Sequence, residues 1–137
     1  AQRLASWGDV FFQTVRPYQK NNYLFKKNEG QYVFSTGYAQ LRTENDCEFL
    51  FFLIRTNTFV DKVLDNCTGT SYPAINPVSL GKINVVVPTD IKEQQAIASI
   101  LAAMDEELDN FEREKEKILQ MKAGAMDDLL TGKIRLV

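Results

Sequence analysis

The alternation of apolar and polar residues changes character at Pro88. Before it, short apolar runs are separated by turn-forming residues; after it, apolar residues recur at intervals of three and four. "DVFFQTVRP" joins aromatic and β-branched residues that are broken at the Arg16-Pro17 step, which predicts a strand running into a loop. "QYVFSTGYAQLR" predicts a second strand, with Gly37 at a bulge or turn. In "CEFLFFLIRTNTFVDKVL" the apolar run is too continuous for a half-exposed strand. There Leu50, Leu53, Ile54, Phe59, Val60, Val63 and Leu64 fit a mostly buried helix. "DNCTGTSYPAINP" carries Asn, Gly, Ser and two prolines and predicts a loop, and "GKINVVVP" predicts a buried strand that closes this half. Strands and a helix without regular βαβ alternation give an α+β class: a small mixed or antiparallel sheet followed by a long amphipathic C-terminal helix.

Asp90 is placed to cap that helix, and Glu93, three residues on, nearly completes a capping box where the helix dipole favours negative charge. Apolar positions then continue at Ile97, Leu101, Met104, Leu108, Phe111, Ile118, Ala125 and Leu129, with Lys115 and Lys122 in the two remaining places. A stripe that keeps step for about four and a half heptads is a helix seeking a long partner helix. Leu119, Met126 and Leu130 widen it on one side. Gly132 supplies a stop, and Lys133 and Arg135 follow where cations suit the helix end. The expected organisation is a body over residues 1–89, a linking helix over 90–104 and a long helix with its tail over 105–137. Glu93 and Gln94 admit two readings. Either they tie the helix start to the body or to a neighbouring subunit, or Glu93 completes the cap and Gln94 lies on the surface. Capping alone explains the placement, and the second reading is preferred.

Composition narrows the class. The 137 residues are 45% hydrophobic and 25% charged, as in one ordinary soluble domain. No run approaches the roughly 18–20 apolar residues of a membrane span, and the first residues do not read as a secretory signal, so a cytoplasmic location and no membrane partner are expected. The chain begins at Ala1 without an initiator methionine, which suggests trimming or a fragment. Cys47 and Cys67 have no histidine or neighbouring cysteine at metal spacing and are expected to be buried free thiols. Net charge is −2, yet residues 1–89 hold nine Lys and Arg against seven Asp and Glu, while residues 90–137 hold seven against eleven. From Val10 to Asn28 there is no acidic side chain, and Arg16, Lys20, Lys26 and Lys27 are interleaved with Tyr18, Asn21, Asn22, Tyr23 and Phe25. Local positive potential of this kind is what a phosphate backbone responds to. The chain has no histidine, no phosphate-binding or dinucleotide glycine fingerprint and no nucleophile elbow. A non-catalytic protein without cofactor or metal is the expectation.

One long segment carries a family likeness. "NPVSLGKINVVVPTDIKEQQAIASILAAMDEELDNFEREKEKILQMKAGAMDDLLTGKIR" closely resembles the end of a target recognition domain and the following spacer helix in the specificity subunits of type I restriction-modification systems. The likeness rests on an apolar run ending in proline, Glu-Gln opening a helix, Ile and Leu at helical spacing, and a Leu-Leu-Thr-Gly-Lys-x-Arg tail. Upstream, "WGDVFFQTVRP" is similar to the family's Gly-Asp strand and "GTSYPAIN" to its Gly-Thr/Ser loop. The full family pattern has two recognition domains and two spacer helices, and this chain corresponds to the later part of one domain with one helix. The resemblance implies a subunit that reads half of a bipartite site in double-stranded DNA. It also implies partners: modification subunits bearing S-adenosylmethionine, which carry the chemistry, and a second spacer helix running antiparallel.

In such a role Arg16, Lys20, Lys26 and Lys27 neutralise phosphates, while Asn21, Asn22 and Tyr18 or Tyr23 read base edges. Thr68, Thr70, Ser71 and Tyr72 bind phosphate, with the Gly69 amide open to close approach; Asn76 and Lys82 flank this loop. Helix pairing falls to Leu101, Met104, Leu108, Phe111, Ile118, Leu119, Ala125, Met126 and Leu129. Two other readings stand beside this one. A helical oligomerisation module explains the stripe but not the basic, aromatic loop, and a small nuclease or methyltransferase fragment has only the acidic pair of "PTDIKEQ" in its favour.

Overall fold

The four residues Val10–Gln13 form strand β1, and their near-continuous apolar character is explained by position: β1 is the central strand of three and is covered on both faces. It pairs antiparallel with β2 (Tyr23–Leu24) on one side and β3 (Tyr38–Leu41) on the other, in the order β2-β1-β3, with Val10 opposite Leu24 and Leu41. The computed structural model describes residues 4–137, so the first three residues of the expected 1–89 body lie outside the described residues. On one face of β1, Val10 and Phe12 enter a core with Ala39, Ile54, Phe59, Val63, Ile75 and Leu80. On the other, Phe11 stacks on Phe34 with centroids 3.6 Å apart, and Tyr23, Phe25 and Tyr38 surround the Phe34 ring. Fully burying each such aromatic contributes about 1.5–3 kcal/mol.

The second expected strand is shorter than its composition implies. Tyr38 donates its N–H to the Ser35 carbonyl at 3.1 Å, closing a turn through Gly37, and only Tyr38–Leu41 is paired in the sheet. The helical stretch is two helices, α1 (Cys47–Leu53) and α2 (Asn57–Asp65). Thr56 makes the break: its hydroxyl donates to the Leu53 carbonyl at 2.8 Å and accepts the Phe59 N–H at 3.3 Å, ending one helix while capping the next. Ile54, Phe59, Val60 and Val63 are buried as expected, whereas Leu50, Leu53 and Leu64 are half-buried. A short helix not expected from the loop composition, α3 (Pro77–Leu80), starts where the Asn76 side chain accepts the Ser79 N–H at 2.8 Å. Cys47 and Cys67 are free, and they are half-buried against the core rather than fully buried.

The expected closing strand over "GKINVVVP" does not form. The segment pairs with no strand, and Val86 is 95% exposed. Both places beside β1 are filled by β2 and β3, and this segment instead passes over α2, where Lys62 Nζ donates to the Asn84 carbonyl at 3.0 Å. Val85 and Val86 share a shallow groove with Leu53, Thr58 and Phe59.

One polar group anchors the N-terminal end of β1. Asp9 is fully buried, and its carboxylate accepts two bonds from the Arg42 guanidinium, at 2.7 and 2.9 Å, one from Gln40 Nε2 at 2.6 Å and one from the Ser6 N–H at 2.7 Å. Burial alone raises its pKa; the bonds from Arg42, Ser6 and Gln40 outweigh burial and hold it below the ordinary carboxylate value.

Helix α4 (Ile91–Leu130) is continuous over 40 residues, a length of about 60 Å. Its first residues belong to the unit that ends at Ala98; Ser99–Val137 form a second unit. The Asp90 carboxylate accepts the Lys92 N–H at 2.8 Å, while Glu93 is exposed and closes no capping box. Gln94 reverses the preferred reading of it as a surface residue. It is 1% exposed, its Nε2 donates to the Pro88 carbonyl at 2.7 Å, and its Oε1 accepts the N–H of Asp46, the residue that caps α1. The apolar spacing alone did not show that a polar side chain at the helix start would point inward.

Within the second unit, Met104, Leu108, Phe111, Ile118, Leu119, Met126 and Leu129 are all between 41% and 59% exposed, so the apolar stripe is not covered among the described residues. The helix ends at Gly132, whose φ of 74° lies in the left-handed region and whose N–H reaches the Leu129 carbonyl; Lys133 pairs with Asp128.

Two changes test this scaffold. Asp9→Asn leaves Arg42 without its anion and is expected to cost about 2 kcal/mol at neutral pH in urea unfolding. Because the native Asp9 pKa lies below the unfolded value of about 3.9, its contribution is complete above that pH and disappears as pH falls through the native value. The stability gap between wild type and Asp9→Asn therefore narrows in acid. Gln94→Ala strands the Pro88 carbonyl and the Asp46 N–H and is expected to cost about 1–3 kcal/mol, read by the same measurement.

Candidate nucleic-acid interface

At the C-terminal end of β1 the chain is fixed residue by residue. Thr14 is buried; its N–H and hydroxyl both donate to the Gly37 carbonyl, at 2.9 and 2.8 Å, and its own carbonyl accepts the Ile75 N–H at 3.0 Å. Val15 bridges to Ala74, and the Arg16 N–H donates to the Pro73 carbonyl at 2.8 Å. The loop that brings Pro73 and Ala74 here is closed on itself, with Thr68 and Ala74 exchanging backbone bonds of 2.9 and 3.0 Å. The two loops that the sequence marks separately, over 16–22 and 68–76, are thus joined side by side.

The first loop is a 3₁₀ turn, Pro17–Gln19, bracketed by two left-handed residues, Arg16 (φ 53°) and Lys20 (φ 54°). Neither is glycine, so each position carries backbone strain that the surrounding bonds must hold. The Arg16 guanidinium lies 4.3 Å from the centre of the Tyr72 ring. Lys20 Nζ donates to Asn57 Oδ1 at the start of α2. Asn22 Oδ1 accepts the Gln13 N–H at 2.9 Å, and Gln13 Nε2 donates to Gln19 Oε1 at 2.9 Å. Tyr18, Asn21, Tyr23, Thr70, Ser71 and Tyr72 are exposed, so the tyrosines of these loops are not folded away into the core. Gly69 has φ 88°, and a Cβ there would stand 3.0 Å from the Tyr72 carbonyl oxygen.

Of the sequence-nominated residues, Arg16, Tyr18, Lys20, Asn21, Asn22, Thr68, Gly69, Thr70, Ser71 and Tyr72 therefore belong to this one end of the sheet. Lys26 and Lys27 do not. They follow Phe25, whose N–H bonds the Asp9 carbonyl, and so stand at the opposite end of β1; Lys26 pairs with Glu48, and Lys27 lies 4.8 Å from the Tyr32 ring centre. Asn76 caps α3 and Lys82 follows it. Gln13, Gln19 and Asn57 were not nominated, and each holds a nominated residue or its loop. Gln13 had a faint signal as the polar residue closing an apolar run, whereas Asn57 comes from a distant helix start and had none.

Four buried side-chain atoms have no hydrogen-bond partner among the described residues, and three of them, Gln13 Oε1, Arg16 Nε and Asn22 Nδ2, lie at this end of β1. Burial pushes both thiols up, with Asp46 adding to the effect at Cys47, so neither is a ready thiolate. Among the described residues, no group of three or more His, Cys, Asp or Glu is gathered to hold a metal, and no helix is long and apolar enough to cross a membrane.

The described residues thus present a cation laid on an exposed tyrosine beside strained polar loops, and an exposed apolar helical stripe. Comparison with known proteins gives the chain's family. The chain belongs to the type I restriction modification DNA specificity domain family, whose pattern matches residues 2–120. It is 35% identical over 91 residues to the type I restriction enzyme MjaVIII specificity subunit of Methanocaldococcus jannaschii, covering 66% of this chain and 21% of that protein. The putative MjaX specificity subunit of the same organism is 40% identical over 68 residues, which is 50% of this chain and 16% of the relative. The chain thus spans about a fifth or less of the curated relatives' lengths. A solved chain from work on complex assembly and conformational transition of the type I restriction-modification system matches 92% of this chain and 31% of its own length, at a TM-score of 0.67 and 26% identity. Specificity subunits are a non-catalytic class, and the family's role is recognition of DNA sequence.

Gly69→Ala is expected to destabilise the domain by about 1–2 kcal/mol, because alanine is strained at this φ and its methyl meets the Tyr72 carbonyl. Thermal unfolding measures it, and an unchanged midpoint would show that the loop relaxes freely.

Proposed function

We propose that the joined loops at the C-terminal end of β1 form the DNA-contacting face of a type I specificity subunit, acting on one half of a bipartite duplex site. The observation that carries this reading is the meeting of the two loops, which places Arg16, Lys20, Asn21, Asn22 and the 68–72 segment on one surface without an acidic side chain among them. Cations and hydroxyls there bind phosphates and set register, while side chains held between them face base edges. Such a protein works in the cytoplasm, where its DNA is.

In the same reading, the uncovered stripe of α4 pairs antiparallel with a second spacer helix, from another copy or from another part of the subunit. That pairing sets the separation of two recognition units, and modification subunits dock on the assembly and supply the chemistry. The family match and the similar chain from a type I assembly support this role. The stripe by itself also suits a purely oligomeric module, but such a module has no use for the strained, basic loop pair.

Duplex binding by the intact subunit with its modification subunits, measured across a salt series, tests the reading. Replacing Lys20 by Ala is expected to reduce the slope of log affinity against log salt by about 0.9, whereas replacing Lys26 and Lys27, at the far end of β1, is expected to leave it unchanged. An unchanged slope for Lys20→Ala would exclude Lys20 from the interface.

A further inference from the structure

Lys20, the other cation of these loops, is bonded to Asn57, and at the far end of β1 Lys26 is bonded to Glu48 and Arg42 to Asp9; the Arg16 side chain has no such acceptor. Arg16 is fixed at every other level: its backbone is strained at φ 53°, its N–H is bonded to Pro73, its carbonyl accepts the Gln19 N–H at 3.0 Å, and its guanidinium lies against the Tyr72 ring at 4.3 Å. Yet the guanidinium has no acceptor among the described residues, and its Nε is buried without a partner. Ordering an arginine costs conformational entropy, and leaving its donors unpaired forgoes the hydrogen bonds that would offset that cost. A planar fork held in one orientation with its terminal nitrogens unspent is arranged for an acceptor pair supplied from outside.

We infer that Arg16 is a base-reading residue of this interface, presenting its two terminal Nη groups to the O6 and N7 acceptors of a guanine in the major groove, with Tyr72 as the positioning residue that holds the fork. The inference rests on the DNA-recognition reading above and narrows it, moving Arg16 from phosphate neutralisation to base recognition. Two physical points separate the roles. A phosphate, which an arginine fork can also grip with two bonds, is served as well by a flexible point charge such as a lysine on a free stem. Bidentate recognition of guanine depends on orientation, and it is the commonest specific arginine contact in the major groove. Because Nε is buried, the fork can engage only end-on, through the two Nη groups. Tyr72, 65% exposed on the closed loop, covers one face of the fork.

The test uses the intact subunit assembled with its modification subunits, and a set of duplexes in which each base pair of the target half-site is replaced in turn. Arg16→Lys, which keeps the charge, is expected to lower affinity for the cognate duplex by roughly ten- to hundredfold and to abolish discrimination at a single guanine position, leaving the other positions and the salt slope unchanged. Arg16→Gly removes the side chain at a backbone position that glycine adopts freely, so it folds at least as stably as wild type and shows the same positional loss. Tyr72→Leu reproduces part of that loss in the wild-type background and adds nothing to Arg16→Gly, as expected for a residue acting through Arg16. If Arg16→Gly instead weakens every duplex equally and lowers the salt slope by about 0.9, Arg16 is a phosphate contact and the inference falls while the DNA-binding reading stands. If Arg16→Gly and Lys20→Ala both leave affinity and slope unchanged, the DNA-binding face itself is misplaced.

Discussion

The buried carboxylate of Asp9 is the constraint on which the geometry of the first unit rests. An ion taken out of water is tolerated only when its lone pairs are filled, and those of Asp9 are filled from two stretches of chain: the Ser6 turn before β1, and the end of β3, through Gln40 and Arg42 just beyond it. Its backbone adds a further tie, to Phe25 after β2. The pair avoids the full penalty of burying two charges because the Arg42 side chain remains 65% exposed and keeps much of its hydration. The anion thus ties β3 to the N-terminal end of β1, and the Asp9 backbone carbonyl ties β2 there. Gly8, at φ 85° and packed toward Cys47, allows the chain to turn into this position.

What happens at the other end of β1 follows from that fixity. With Val10, Phe11 and Phe12 buried on alternate faces, the strand cannot slip by one residue without exchanging a core side for the aromatic layer. Thr14, Val15 and Arg16 are therefore delivered to the loops in a set register, and the 68–76 loop closes on them through backbone bonds rather than through flexible side chains. Strain in two left-handed residues is affordable only on such a base. The loop surface combines rigid elements, Arg16 on Tyr72 among them, with the freer side chains of Asn21, Thr70 and Ser71, a division suited to contacts that specify and contacts that position.

The parts of this architecture visible in the sequence were those set by local chemistry. The strand at Val10–Gln13, the turn at Gly37, the loop from 66 to 76, the start of α4 after Asp90 and its stop at Gly132 all follow from residue type and spacing. The misreadings have tertiary causes. Val85–Val87 has strand composition, but its segment is drawn over α2, where Lys62 holds the Asn84 carbonyl, and does not run along the outer edge of β2 or β3. Thr56 reads as an ordinary helix residue until its hydroxyl is seen bonding backward and forward at once. Capping explains Glu93 and leaves its neighbour Gln94 reading as a surface residue. It is buried because the open N–H at the α1 cap lies 48 residues away in sequence and nearby in space. Likewise, the run of four basic residues gave no hint that β1 would send Lys26 and Lys27 to one of its ends and Arg16 and Lys20 to the other.

The α4 stripe poses a different problem, since its residues are legible but its cover is not among the described residues. In the proposed pairing, the two lysines within the stripe decide the direction. A parallel, in-register pair would set Lys115 against Lys115 and Lys122 against Lys122, two like-charge contacts in an otherwise apolar seam, and even with their ammonium groups reaching to solvent these weaken the pair. An antiparallel pair in which stripe positions face one another would set Lys115 beside Ile118 and Lys122 beside Phe111 of the facing helix, which removes both repulsions and covers the lysine stems. The lysines thus act against one orientation more than they stabilise the other, and they cost the seam some apolar area to do so.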